Sequence, residues 1–340
     1  MLKLCSPKNY LLTLILSLSL TTLFACTSYA PSEPLTKSGF YFDTVITLTL
    51  YGTTDESLLD NCFSIAGTYE KLFSATLPDS EISQINQAKG SPVTVSDETV
   101  SLLKKGLEYC GLSNGGFDIT IGKLSSLWDF SENGGALPDP NAIDAAISTV
   151  DYHNVLISGN EVTLKNPDTA IDLGAIAKGY IADRMKEYLN GQGVTEGTIN
   201  LGGNVLCIGQ KQDGSNYRIG IQMPFAEQGA IAAVVEVTDQ TVVSSGVYER
   251  YITVDDKLYH HILNPATGYP YENGLLGVSI ICRDSVDGDG LSTACFSLGL
   301  EDGMKLIESL ADTEAVFITD DYEFHCSSGI GDTIPFEKRE

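Results

Sequence analysis

Between residues 197 and 283 a run of short apolar segments follows one after another: GTINL, YRIGIQM, AAVVEV, TVVSS, RYITV, LYHHIL and LGVSIIC. Each is rich in β-branched or aromatic residues and bounded by turn-forming ones, the pattern of strands. The gaps are too short to hold crossover helices, so this middle region is mostly antiparallel. Helical periodicity lies on both sides of it. Residues 55–73 place Leu58, Leu59, Cys62, Ile65, Tyr69 and Leu72 at helical spacing, and 97–111 do so through Val100, Leu103, Leu107 and Cys110. Residues 289–311 read as helical, and AVFITD (315–320) closes a sheet. An α+β fold follows, compatible with one lobe inserted in another.

Three further segments complete the reading. Residues 40–51, FYFDTVITLTLY, read as one strand. Residues 130–141 read as an exposed loop before a short helix. Around 161–172 a strand runs into IDLG, and a helix follows through about Leu189. No internal repeat or low-complexity block is present.

Charge narrows the function. The 340 residues carry 20 Lys+Arg against 45 Asp+Glu, a formal charge of −25. Such a chain repels a polyanion over most of its surface, which excludes a nucleic-acid partner. A small anionic ligand would need a metal ion to offset its charge. The 43% hydrophobic content excludes a disordered chain.

The N-terminus reads as an export signal. Lys3 and Lys8 precede an apolar run over 11–25, too short to span a bilayer. Leu23-Phe24-Ala25-Cys26 resembles a bacterial lipobox, which implies cleavage before Cys26 and lipid on its sulfur. The expected organisation is a lipoprotein signal peptide over 1–25, a lipidated tether over 26–38 and one domain over 39–335. The protein is then held on a membrane facing outside the cytoplasm, in the periplasm or at the cell exterior. An ordinary secretory signal with an incidental Cys is the alternative. Of the remaining cysteines, Cys62 and Cys110 fall on apolar helix faces and read as buried thiols. Cys207, Cys282, Cys295 and Cys326 are left open between thiol and disulfide.

Four segments carry chemistry. In Ile171-Asp172-Leu173-Gly174-Ala175-Ile176-Ala177-Lys178-Gly179 a buried strand ends at Asp172, and small residues turn into a helix. That is either an anion seat with Lys178 adding charge, or a plain junction capped by Asp172. In Asp287-Gly288-Asp289-Gly290-Leu291-Ser292-Thr293 an EF-hand is excluded, because its twelfth position would be Phe296. Asp289 and Thr293 are one helical turn apart, so their oxygens share a face and suit a hard cation such as Mg²⁺. Asp289 as a helix cap beside a packed Thr293 is the alternative. In His261-Ile262-Leu263-Asn264-Pro265-Ala266-Thr267-Gly268 a His at a strand end is either a general base or a structural hydrogen bonder. His260 and His261 face opposite sides of their strand. In Gly115-Gly116-Phe117-Asp118, continuing to Trp128, an aromatic beside a Gly pair and a nearby carboxylate suit a flat ring. Core packing of Phe117 and Trp128 is the alternative.

Taken in order, these pieces resemble the ApbE family of FAD:protein FMN transferases. The matching stretches are Phe73-Ser74 with Pro78-Asp79-Ser80-Glu81-Ile82-Ser83 and Asn86; GGFDITIGKLSSLW; IDLGAIAKGYIAD; Asn200-Leu201-Gly202-Gly203-Asn204; Ser245-Gly246 with Tyr248 and Arg250; HILNPATG; and DGLST. They run from about residue 40 to 320. The resemblance implies an α+β, T-fold-like structure with FAD in a cleft. It implies Mg²⁺-dependent transfer of FMN from FAD to a Thr or Ser hydroxyl of a partner protein, with AMP released. Acceptors of Nqr or Rnf type, redox subunits at a membrane, are implied as partners. Asp289 and Thr293 are the implied side-chain Mg²⁺ ligands, with Ala175 contributing its carbonyl. Phe42, Gly116, Phe117, Asp118, Asp172 and Lys178 are implied to contact FAD, and His261 to be the general base. Phe42-Asp43-Thr44 stands where many members have Met-Gly-Thr, so Phe42 takes the Met position at the flavin. Thr76 and Leu77 precede Pro78-Asp79 where an aromatic often stacks on the ligand. An FAD pyrophosphatase using water as nucleophile, and a flavin-binding lipoprotein without catalysis, are the alternative functions.

Overall fold

The computed structural model describes residues 33–131, 135–227 and 229–339. The expected signal peptide, the lipobox Cys26 and the first part of the tether lie outside the described residues. In chain order the elements are β1 (Leu35–Tyr41), β2 (Thr44–Leu50), α1 (Ser57–Phe73), α2 (Glu81–Gln87), β3 (Val93–Thr94), α3 (Asp97–Leu112), α4 (Gly122–Ser125) and α5 (Pro140–Ile147). Then come β4 (Val155–Ser158), β5 (Glu161–Leu164), α6 (Ala177–Gly191), β6 (Glu196–Leu201), β7 (Asn204–Gly209), β8 (Tyr217–Gln222), β9 (Ile231–Val237) and β10 (Thr241–Gly246). The chain ends with β11 (Tyr251–Val254), β12 (Lys257–His260), β13 (Leu275–Cys282), α7 (Ser285–Glu308), β14 (Glu314–Thr319), β15 (Phe324–Cys326) and β16 (Phe336–Lys338).

The main sheet has eight strands in the order β1-β2-β6-β7-β10-β13-β14-β15, and every pairing in it is antiparallel. The α+β expectation is met. One face of the sheet is covered by helices. Ile46, Leu48 and Leu50 of β2 alternate inward with Ile199, Leu201, Leu206 and Ile208 against α1 and α6. Val278, Ile280 and Cys282 of β13 meet α7 and α3. The other face carries the small sheet β16-β9-β8, whose Tyr217, Ile221, Ala233 and Val235 pack on Cys207, Val242, Ile281 and Val316. Both faces of β13 are thus buried, and its sequence is apolar almost throughout.

Several boundaries differ from the sequence reading. Residues 40–51 are not one strand. Phe42 and Asp43 form a two-residue turn between Tyr41 and Thr44, with φ of 51° and 54°. Two left-handed residues match the twist of a hairpin, but neither is glycine, so the turn signal was hidden. Glu70 of α1 accepts a hydrogen bond from the Phe42 amide at 2.8 Å and holds the turn. The tether expected to reach residue 38 gives way to β1 at Leu35. The strand expected to end at Asp172 ends at Leu164. Ile171 and Leu173 are buried as the chain crosses the core, held by a single parallel bridge between Ala170 and Ile121 rather than by a strand, which imitates a strand's pattern. Strand β7 was unread although Gly202 and Gly203 (φ 62° and 97°) mark the turn before it. All six described cysteines are free thiols, and only Cys326 is not fully buried. That agrees with the reading of Cys62 and Cys110 and decides the other four.

Candidate functional site

Helix α7 starts at Ser285, four residues before the expected start, so Asp289 lies in its second turn and is not a cap at its start. Asp284, the residue at the cap position, makes no side-chain cap. Asp183 of α6 does this instead, accepting from the amides of Ser285 (2.8 Å) and Val286 (2.9 Å). Burial pushes the Asp183 carboxyl up to about 7, against the pull of those two amides.

Ser285, Asp289 and Thr293 form a polar stripe one turn apart on α7, facing the sheet. The Asp289 carboxylate is buried. Its Oδ2 accepts from the Gly179 amide at 2.6 Å, and its Oδ1 from Asn204 Nδ2 at 3.1 Å. Gly179 is the third residue of α6, whose own cap position, Ile176, offers no side-chain acceptor. Asp289 therefore caps α6 from outside, where a negative charge meets the positive end of the helix dipole. Burial raises its pKa, while the charge of Lys178, the Gly179 amide and Asn204 pull it down. Ser245 of β10 stands 2.8 Å from Ser292 and 3.4 Å from Thr293, hydroxyl to hydroxyl.

Opposite this stripe lies the β10–β11 connection. Tyr248 folds over Gly246, where a Cβ would come within 2.4 Å of its ring. Glu249 follows; it reaches solvent yet is closely surrounded by protein, and burial pushes it up to about 7 despite Lys178 and Arg250. His261 is half-buried and is held down at about 3 by burial first, then by Arg250 and His260. It is therefore a neutral imidazole. Its Nδ1 lies 3.3 Å from the Arg250 carbonyl, which can only accept, so Nδ1 carries the proton and Nε2 is left as a free base. His260 is used differently: its Nε2 donates to the Tyr271 carbonyl (2.9 Å) and its Nδ1 accepts from the Ile262 amide (3.3 Å). The expected division of the two histidines holds.

Of the residues expected at the site, Lys178 lies near enough to act electrostatically on both Asp289 and His261, and Thr293 stands one turn beyond Asp289 on α7. Ala175 is exposed just before α6, and the Gly179 amide bonds Asp289 rather than its carbonyl. Phe42 is half-buried and packs against two core clusters. Asp172 ties Ser125 (2.9 Å) to the Gly174 amide (2.9 Å) and caps no helix. The Gly116 carbonyl accepts from Tyr271 Oη at 2.9 Å. Phe117 and Asp118 make contacts within the protein. Phe117 is buried edge-on against Tyr109. Asp118 accepts from Thr120 twice (2.8 and 2.6 Å) and from the Tyr152 amide (3.0 Å), and burial raises its pKa. Trp128 is a core residue that donates to the Gly268 carbonyl (3.1 Å), pinning the turn after His261. Asn204, Ser285 and Glu249 were missed; the i, i+4, i+8 polar spacing through Ser285 was the available signal.

The donor set fits a hard cation. Asp289 and Thr293 offer only oxygen, and each Asp289 oxygen carries one hydrogen bond, leaving a lone pair. No cluster of three or more His, Cys, Asp or Glu is placed to hold a metal among the described residues. A hollow of about 420 Å³ near Asn190, Thr195 and Asp239 also includes Gly209, at the other end of β7 from Asn204.

The antiparallel sheet with its covering helices is shared with flavin transferases of known structure. The structure superposes on the flavin transferase ApbE from Vibrio cholerae with TM-score 0.79 at 27% identity, covering 88% of this chain and 98% of that one. The ApbE protein from Thermotoga maritima gives TM-score 0.80 at 29% identity, covering 91% and 100%. The chain matches the ApbE family over residues 42–317. It is 38% identical over 286 residues to a FAD:protein FMN transferase of Klebsiella pneumoniae (strain 342), which is 83% of this chain and 88% of the relative. A relative of the same name in Treponema pallidum (strain Nichols) is 33% identical over 81% of both chains. The chain belongs to the ApbE family.

Proposed function

We propose that this chain transfers FMN from FAD to a Thr or Ser hydroxyl of a partner protein, releasing AMP. The observation that supports it most is the neutral His261 with a free Nε2, near the Lys178 that also faces Asp289. The acceptor hydroxyl gives its proton to His261 Nε2 as its oxygen bonds the FMN phosphorus. The bond from that phosphorus to the AMP oxygen breaks, and AMP leaves. Lys178 and the α6 N-terminus attract the pyrophosphate. Asp289, Thr293 and the Ala175 carbonyl would hold Mg²⁺, which would supply charge to offset the phosphates and favour AMP as the leaving group. Phe42, Gly116 and Asp172 border the flavin side. The fold is anchored through lipid on Cys26 at a membrane facing outside the cytoplasm, and the acceptor is a membrane redox subunit of Nqr or Rnf type.

The test incubates the chain with FAD, Mg²⁺ and a candidate acceptor and weighs both proteins intact. A gain of one FMN residue on the acceptor, lost with EDTA and with Asp289→Ala, is expected. AMP and free FMN with no gain on any acceptor would replace the transferase by a pyrophosphatase. Bound, unreacted FAD would leave a flavin-binding lipoprotein.

A further inference from the structure

We propose that Asn204 is a positioning residue that fixes the plane of the Asp289 carboxylate, with Ser285 latching the Asn204 amide. The proposal rests on the reading of Asp289 as the metal carboxylate.

The second torsion of an Asp side chain is soft, so a lone carboxylate swings about its own axis. Asp289 is held at both ends. Gly179 of α6 fixes Oδ2 and Asn204 of β7 fixes Oδ1, so two separate elements set its plane. Asn204 is itself buried and begins β7 directly after the Gly202-Gly203 turn, a rigid origin for a side chain. Its Oδ1 accepts from Ser285 Oγ at 2.7 Å. Thr241 Oγ1 stands 3.1 Å behind Ser285, and both hydroxyls are fully buried. A flipped amide would set its oxygen against the carboxylate, so hydrogen bonding assigns the orientation. Ser285 and Asp289 are one turn apart on α7, and Asn204 bridges them. The bracket determines where the remaining lone pairs of Asp289 point. A hard cation that demands near-ideal geometry is sensitive to that direction.

The test is Mn²⁺ binding in the presence of FAD, followed by electron paramagnetic resonance, in the full chain and in Asn204→Ala, Ser285→Ala and Asp289→Ala. Asn204→Ala is expected to weaken Mn²⁺ roughly 10- to 100-fold. Ser285→Ala, which keeps the amide and loses its latch, should weaken it by about threefold or more. Transfer by Asn204→Ala should recover at high Mg²⁺, because the ligands themselves remain. An affinity within twofold of the parent in a folded Asn204→Ala protein overturns the proposal. Should that variant not fold, Ser285→Ala decides, and unchanged affinity there overturns it. Unchanged Mn²⁺ binding in Asp289→Ala would instead refute the metal reading itself and remove the ground under the bracket.

Discussion

Replacing Gly179 by alanine would put a methyl carbon 2.2 Å from the Ser285 carbonyl oxygen and 2.5 Å from its carbon. Both are backbone atoms, so no rotamer change relieves the overlap. The start of α6 must back away from the start of α7. That movement stretches the Gly179 amide off Asp289, now at 2.6 Å. Losing a hydrogen bond to a charged group costs about 1.5–3 kcal/mol. Overpacking adds about 1–3 kcal/mol. Alanine returns about 1 kcal/mol through helix propensity. The net loss is about 1.5–5 kcal/mol, which lowers Tm by roughly 2–8 °C for a chain of this size. Gly191 is the control: it closes the same helix, and a Cβ there meets nothing within 4 Å. Gly191→Ala should be neutral or gain up to about 1 kcal/mol. The assay is thermal unfolding of parent and both variants, with FMN transfer at saturating Mg²⁺. A Gly179→Ala protein as stable as Gly191→Ala would refute the contact between the helix ends, and with it the capping of α6 by Asp289.

His261→Asn should keep FAD affinity, measured by flavin fluorescence, while transfer falls by roughly 10²–10⁴-fold, the range for losing a general base; retained turnover removes His261 from that role. Asp183, at about 7 against an ordinary 3.8, keeps its proton in the folded state where the unfolded chain has lost it. Stability from this group is therefore full below about pH 4 and is lost as pH rises through 7, by up to about 4 kcal/mol. Urea midpoints should fall less from pH 5 to pH 8 in Asp183→Asn than in the parent, and equal slopes would exclude Asp183 as the source. Asp43→Gly relieves an exposed left-handed residue and should raise stability by about 1 kcal/mol in denaturant unfolding.

Helices α1 and α3 were legible because their apolar stripes repeat at 3.6 residues and meet a core on one side. Strands β8 to β13 were legible because turn residues separate alternating segments. The failures share a cause: local pattern was right and tertiary context differed. Phe42 and Asp43 turn left-handed without glycine because Glu70, distant in sequence, holds the turn. Ile171 and Leu173 are buried like strand residues, although the strand before them ends at Leu164. Ser285 went unread because Gly288 and Gly290 look like loop residues. In the fold they are the opposite, since a Cβ at Gly288 would lie 2.6 Å from Val243 and one at Gly290 would lie 2.2 Å from Tyr109. Those glycines let α7 settle close against β10 and α3, which brings its polar stripe to the sheet.

The same closeness explains how a chain of net charge −25 can attract an anion. Long-range repulsion falls away within a Debye length, so a few local charges set the field at the site. Lys178 and Arg250 both lower the pKa of Glu249 and of His261. Burial is the largest cause that keeps the His261 imidazole neutral, and their positive field adds to it. On the proposed function, a pyrophosphate beside Lys178 would cancel part of that field and raise the proton affinity of His261 just when a phosphorus is present for the acceptor hydroxyl to attack. Two basic residues on α6 and the β10–β11 connection, within an otherwise acidic chain, would in that way couple the strength of the base to occupancy by the anion.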